Sequence, residues 1–222
     1  LELRFLEVLR YADLLLWGAL LSVVLATAAG VAGLLLGILC AEGQRLGHRG
    51  LTWAIRAYVE FIRNTPFLVQ LFFVFFGLPS LGLRLDALSA ALIALVLNIA
   101  AYFTEILRAG LEASPAGQAE AGRALGLRRW QIFLLVQLRP ALAKVWPALV
   151  SQFVLVFLGS AVVSQISVED LTFQGQFIQS RTFRAFEIYL VITLLYAGLA
   201  FALRRALLEL GARLFPWQRR GA

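Results

Sequence analysis

Charge is scarce in this chain of 222 residues: Asp, Glu, Lys and Arg together make up 15% of it, against roughly 25% in an ordinary soluble domain. So little charge cannot cover 61% hydrophobic residues in water, which excludes a soluble domain of this length and makes a bilayer the solvent for much of it. Cysteine occurs once, at Cys40 in an apolar run, so neither an intrachain disulfide nor a thiolate metal cluster can form. Histidine also occurs once, at His48 in a short polar loop, where a solvated imidazole has no second ligand or nucleophile beside it. No catalytic residue and no metal site is therefore assigned, and an enzyme is not expected. The phosphate-cradling pattern G-x-x-x-x-G-K-S/T is missing as well, so any nucleotide chemistry belongs to another polypeptide. Methionine is absent even from position 1, so the sequence reads as trimmed or lacking its true start. Residues 1–13 are amphipathic and lack the basic, apolar and small-residue order of a signal peptide.

What the chain does have is long apolar runs. Five stretches can cross a hydrocarbon core, which takes about 20 helical residues: 14–40, 57–78, 87–107, 145–166 and 187–208. Alternating strand patterns are missing, so the fold class is all-α rather than barrel. With the N-terminus outside and each stretch reversing direction, all but five of the 20 Lys and Arg fall on the inner side; Arg4, Arg10, Arg84, Arg181 and Arg184 remain outside. That bias fixes the expected orientation as N-terminus outside and C-terminus cytoplasmic. The net charge of +7 is read as this topology signal, with no nucleic-acid partner. Gly30, Gly33 and Gly37 give the first stretch a small-residue face suited to close helix approach. Trp217 beside Arg219 and Arg220 reads as an anchor at the inner interface, in contact with lipid.

The longest inner segment, 108–144, is too polar to span and too ordered in pattern for a slack linker. Ser114 and Pro115 are placed as the N-cap and first residue of a short helix running to Leu125. Gly126 can take the left-handed conformation that ends it, and a second short helix is expected from about Arg128. Small side chains on the first helix would let another protein close around it.

In this segment Glu120-Ala121-Gly122-Arg123-Ala124-Leu125-Gly126, followed by Val136-Gln137-Leu138-Arg139-Pro140, resembles the EAA loop of ABC importer permeases. Two positions depart from the family pattern: Gly122 replaces the second Ala, and Pro140 comes one residue late. Ala101-Tyr102, Glu105-Ile106, Arg108, Gly110 and Gly117-Gln118 before the loop are arranged as in the permeases for polar amino acids. Upstream, Arg63-Asn64-Thr65-Pro66-Phe67-Leu68-Val69-Gln70 is similar to that group's R-G/N-T-P-x-L-V-Q, and Val168-Glu169-Asp170-Leu171-Thr172 to its V-E-E-L-T. Leu158-Gly159-Ser160-Ala161-Val162 stands where relatives often carry a charged pair, a departure that makes a second, different permease an attractive partner.

The resemblance implies one transmembrane permease domain over residues 1–222 in the bacterial plasma (inner) membrane. It implies two copies of an ABC ATPase that bind ATP and Mg, a second permease (identical or homologous), and an external binding protein that delivers an amino acid. Coupling to the ATPase falls on Gly117, Glu120, Ala121, Gly122, Ala124, Leu125 and Gly126. For the substrate path, polar groups at bilayer depth are the candidates, because an ionised residue there costs about 2.5–3.5 kcal/mol and faces the bundle interior. They are Glu60, Arg63, Asn64, Thr65, Gln70, Asn98, Glu105, Gln152, Ser160 and Ser164. Glu60 is expected to pair with Arg63, three residues on, and Glu105 has Arg108 as an alternative partner. Pro66 should break its helix and free carbonyls toward the path. The outer segment from Ser167 to Phe186 reads as a landing surface for the binding protein. Other cargo, or a stand-alone channel or secondary transporter, are the competing readings; the latter leaves the EAA-like loop unexplained.

Overall fold

A computed structural model describes residues 5–217, and all the regular structure in them is helical. Arg4, Arg219 and Arg220 lie outside the described residues. A short α1 (Phe5–Leu9) leads into α2 (Ala12–Gly43), a 32-residue helix with no charged residue between Asp13 and Glu42. Next come α3 (Arg49–Arg63) and α4 (Phe67–Phe72), the latter continued by π and 3-10 turns to Leu81. After α5 (Ala87–Glu112) and the short α6 (Ala116–Ala124), α7 (Arg129–Gln131), π-helical turns over 132–138 and α8 (Arg139–Gly159) form one helical run ending at Ile166. The chain closes with α9 (Leu171–Thr182) and α10 (Ala185–Leu214).

Ala12–Gly43, Ala87–Glu112, Arg129–Ile166 and Ala185–Leu214 are each long and apolar enough to cross a membrane. Arg49–Arg63 and Phe67–Leu81 reach that standard only together, bent by 112° at their junction. The stretch expected to be one span over 57–78 is therefore two helices. Pro66, which lacks an N–H, sits at the break in extended conformation. The second short helix expected after Arg128 is likewise not separate, since π-helical turns carry it without interruption into α8.

The direction of each helix follows from its contacts. Gly33 lies against Ile99 and Gly37 against Phe103, so α2 and α5 run parallel, and a Cβ on Gly33 would come within 2.2 Å of Ile99. Gly110 meets Val145, whereas Asn98 shares a recess with Gly159, so α8 runs against α5. Trp146 bonds Leu207 and Phe157 touches Tyr196, so α10 runs against α8. Parallel α2 and α5 oblige residues 44–86 to return across the bundle. The segment 67–81 makes that return: Gln70 meets Asn98, then Val74 and Leu78 line a crevice with Ile93 and Ala94. α3 gains little depth, as Arg56 and Arg63 both face the Glu105–Arg108 end of α5. The bundle thus has four crossing helices, or five crossings with the bent pair taken as one span, and the two ends of the described chain lie on opposite faces. One face carries α1 and α9, where Arg184 pairs with Glu7 at 3.5 Å. The other carries α6, with Trp146, Phe215 and Trp217 stacked edge to face and Arg139 4.7 Å over the Trp217 ring.

The glycine face of α2 is divided between two partners. Gly30 admits the Phe153 ring, to which a Cβ would come within 2.5 Å, while Gly33 and Gly37 receive α5.

Candidate functional site

Helix α6 stands on the bundle's end with little holding it. Only Gly122 of its described side-chain positions is buried, and a Cβ there would reach Ile132 at 3.0 Å, so the missing methyl lets α6 lie close to the following helix. Gly122, which departs from the Ala of the family pattern, thus has a packing role in this bundle. Glu120, Ala121, Ala124 and Leu125 are exposed, and Leu125 keeps 79% of its surface. Gly126 adopts φ 73°, the left-handed conformation expected of it. Around it Gly126 N–H bonds the Arg123 carbonyl (3.0 Å) and Leu127 N–H the Gly122 carbonyl (3.1 Å), the bond pair of a Schellman turn. Ser114 does not cap α6. Its hydroxyl turns back to donate to Gly110 (3.3 Å) at the end of α5, and Pro115 occupies the cap position without a side chain to serve it. Arg128 N–H donates to Gln131 Oε1 (2.8 Å), starting the next helix.

Beneath α6 is a recess of about 370 Å³ that includes Glu42, Arg45, Arg123, Arg129 and Gln137 in its lining. Arg45 bonds Glu42 (3.3 Å) and Gln137 (3.0 Å), and Arg129 donates to the Arg45 carbonyl. These contacts tie the end of α2 to the run following α6. Nothing in the sequence pairs residues 45 and 137; only the folded bundle brings them together.

The polar groups at depth gather in two places. One recess of about 290 Å³ has Thr65, Asn98, Tyr102 and Gln152 as its polar lining. Behind it Gln70 is buried, its amide donating to Ile62 O (2.8 Å), Thr65 O (3.1 Å) and Thr65 Oγ1 (2.8 Å) while its oxygen accepts from Asn98 (2.9 Å). Thr65 and Asn64 in turn donate to Phe61 O and Glu60 O. The Glu60, Phe61, Ile62 and Thr65 carbonyls at the Pro66 break thus accept from side chains of their own segment. The second recess, about 320 Å³, joins Gln44, Arg56, Glu60, Arg63, Glu105 and Arg108.

Glu60 forms no ion pair with Arg63 among the described residues. Arg63 reaches Glu105 (3.7 Å) and stacks on Tyr102 (5.6 Å), and Glu105 also holds Arg108 at 2.9 Å, as anticipated for that pair. The helical spacing of Glu60 and Arg63 is outweighed by α5, which packs against α3 and offers a carboxylate already fixed by Arg108. Ser160 and Ser164 line neither recess; they donate to Phe157 O (2.7 Å) and Ala161 O (2.8 Å) within their own turns.

On the opposite face, a buried cluster escaped the reading of the sequence. Asp170 caps α9 through Phe173 N–H (2.9 Å) and accepts from the Tyr196 hydroxyl (3.1 Å), which also meets Thr172 (2.9 Å). Ser22 of α2 accepts Leu171 N–H (3.1 Å). Burial pushes the Asp170 carboxyl up to about 6, against the pull of these hydrogen bonds. The cap signal was present in the sequence; the Tyr196 partner, 26 residues away, was not.

Comparison with known proteins agrees with this architecture. Residues 33–214 match the family model described as binding-protein-dependent transport system inner membrane component. The chain is 35% identical to the glutamine transport system permease protein GlnP of Escherichia coli (strain K12), over 86% of this chain and 90% of the relative. It is also 35% identical to the probable glutamine ABC transporter permease protein GlnM of Bacillus subtilis (strain 168), over 81% and 84%. A solved amino acid ABC transporter with histidines superposes with a TM-score of 0.85 at 33% identity, over 96% of this chain and all of that one. The MetNI methionine ABC transporter in an inward-facing form shares the fold at a TM-score of 0.77 and 21% identity. This chain belongs to the family of inner membrane permease components of binding-protein-dependent transport systems.

Proposed function

We propose that this chain is the membrane-spanning subunit of an ATP-driven importer of polar amino acids in the bacterial plasma membrane, crossing five times with its N-terminus outside. Two ATPase subunits, which bind the ATP and Mg, dock on the cytoplasmic end; a second permease completes the path, and an external binding protein delivers the amino acid. The observation that carries this reading is α6 with its Gly126 turn: an exposed, small-sided helix presenting Glu120 and Ala121 to a partner, with Gly122 seating it on the bundle. Gly117, Ala124 and Leu125 complete the docking surface. α6 lies on Ile132 of the run that continues into α8, and Arg45 and Arg129 tie that run to the end of α2, so that a push on α6 reaches two crossings.

The neutral recess at Thr65, Asn98 and Gln152 and the charged one at Glu60, Arg63 and Glu105 are the substrate-path elements of this reading. Asn64 and Gln70 hold the break between them. The outer α9 face, with Glu169 and Arg181 exposed, is where the binding protein lands.

A gentle-detergent pull-down of the tagged chain from its native membrane, read by mass spectrometry with subunit stoichiometry, tests the proposal. Two ATPase subunits and two permeases per complex are expected. A chain that is recovered alone even after cross-linking, and that still transports, would return the stand-alone transporter to first place.

A further inference from the structure

The outer wall of the bundle carries a crevice that the transport path does not use. It is about 290 Å³ in volume and opens between α2, α8 and α10, with Gly30 and Phe153 inside it and Val31, Ala206 and Leu210 exposed at its rim. Its lining is apolar apart from Thr27 and the indole N–H of Trp146, and that N–H is already given to the Leu207 carbonyl at 2.8 Å. Whatever fills it inside a membrane is therefore apolar along its length. Gly30 makes the crevice possible, since a Cβ there would displace the Phe153 ring from its place against α2.

Charge identifies the occupant. The crevice closes toward the α6 end of the bundle at Trp146 and Leu210. Arg139 precedes Trp146 by seven residues on α8, and Arg213 follows Ala206 by seven on α10. Two turns of helix put each on nearly the same face as the lining residue. Both guanidinium-bearing residues are exposed, and the Trp146, Phe215 and Trp217 rings lie between the two helices there. The acidic residue beside Arg213, Glu209, already holds Arg205 at 2.8 Å. An apolar slot that ends in aromatic rings and two cations matches a molecule with an acyl chain and an anionic head.

We propose that this crevice binds one anionic phospholipid, an acyl chain lying along Gly30 and Phe153 and the phosphate held near Arg139 and Arg213. Filling it would tie α10 to α2 and α8 on the side away from the polar recesses. The site depends on embedding in the membrane and not on the identity of the transported solute.

The test uses the complete transporter, reconstituted in vesicles of phosphatidylglycerol and phosphatidylcholine at one to three, then extracted gently and weighed by native mass spectrometry. One phosphatidylglycerol per chain is expected to persist, enriched at least threefold over its share in the vesicle. Ala206→Phe, which plugs the crevice from its exposed rim, should abolish that retention, and Arg213→Gln should reduce the enrichment toward the vesicle ratio. Equal retention in Ala206→Phe and the parent overturns the site. In native membranes, a benzophenone side chain at Val31 should acquire the mass of a phospholipid. Cross-linking there to a protein chain instead would make the crevice a subunit contact and overturn the proposal.

Discussion

Two short helices join the long ones on opposite faces of this bundle, and they are held in opposite ways. Helix α9 buries Leu171, Gln174, Gly175 and Ile178, is capped by Asp170, and is bonded to α2 through Ser22 and to α10 through Tyr196. Helix α6 has no side-chain cap and buries only Gly122 among its described side-chain positions. α9 has the contacts of a scaffold element, and its position is fixed by this chain alone. α6 leaves its surface exposed, as the proposed docking role requires.

The sharpest way to break the contrast is to put the same substitution into each helix's surroundings. Gly18 of α2 sits under the start of α9, where a Cβ would come within 2.9 Å of both the Asp170 carbonyl and the Leu171 Cα. Those are backbone atoms, so the helices must separate. Gly18→Val is expected to cost about 3 kcal/mol or more, read as a large fall in thermal midpoint and in yield from detergent. Gly117→Val on α6, where a Cβ meets nothing within 4 Å, should leave the midpoint within about 2 °C. Similar losses in both would mean that α6 is as firmly packed as α9.

The second difference is acid sensitivity. The Asp170 carboxyl has its value raised from the ordinary 3.8 to about 6, so the folded protein favours the neutral form. Its contribution to stability is then fully present below pH 4 and is lost as the pH rises through about 6, a change on the order of 3 kcal/mol. Asn caps a helix as well as Asp does and cannot ionise. The thermal midpoint of the parent minus that of Asp170→Asn should therefore fall between pH 4 and pH 7. A difference that rises over this range would show the carboxylate to be the favoured form and reverse the assignment.

At the Gly126 turn the expected effect on stability is smaller and the effect on function larger. Any residue with a Cβ loses about 1–2 kcal/mol in the left-handed conformation, but here the cost falls on an exposed turn that can unwind locally. Gly126→Val should insert and fold with a midpoint near the parent's, yet lose most of its ATPase co-purification and uptake. Normal co-purification and uptake would remove the turn from the coupling surface.

The comparison also separates what the sequence reveals from what it conceals. α6 and its glycine turn were legible because their signals are local: small residues, a positive-φ site and a motif within ten positions. The long helices were legible for the same reason, as uninterrupted apolar runs. The break at Pro66 was visible too, but not how it is satisfied, because Gln70 reaches back over it and forward to Asn98 on another helix. Arg63 misled for a related reason: spacing along one helix offers Glu60, while Glu105 arrives only when α5 packs against α3. The uninterrupted run from Arg129 to Ile166 begins well before the apolar stretch 145–166, because its first part is too polar to read as a span. Pro140 falls in the first turn of α8, and π-helical turns carry the chain into it. Polar positions on different helices thus acquire meaning only in pairs, and the pairs are made by the fold.

The smallest expected effect lies at the far end of α9. Phe183 ends that helix at φ 57°, a left-handed conformation that Gly126 adopts without strain but a Cβ-bearing aromatic does not. Its ring is 87% exposed, so little packing offsets the strain. Phe183→Gly removes the steric cost but adds freedom to the unfolded chain, which offsets part of it and leaves a gain of about 0.5–1 kcal/mol. A midpoint raised by a few degrees would show that α9 tolerates a strained end because its beginning is so firmly bound. A loss of binding-protein-stimulated uptake with the raised midpoint would instead identify the exposed ring as part of the surface on which the binding protein lands. The two readouts move independently, so one variant distinguishes a strained scaffold from a second docking element.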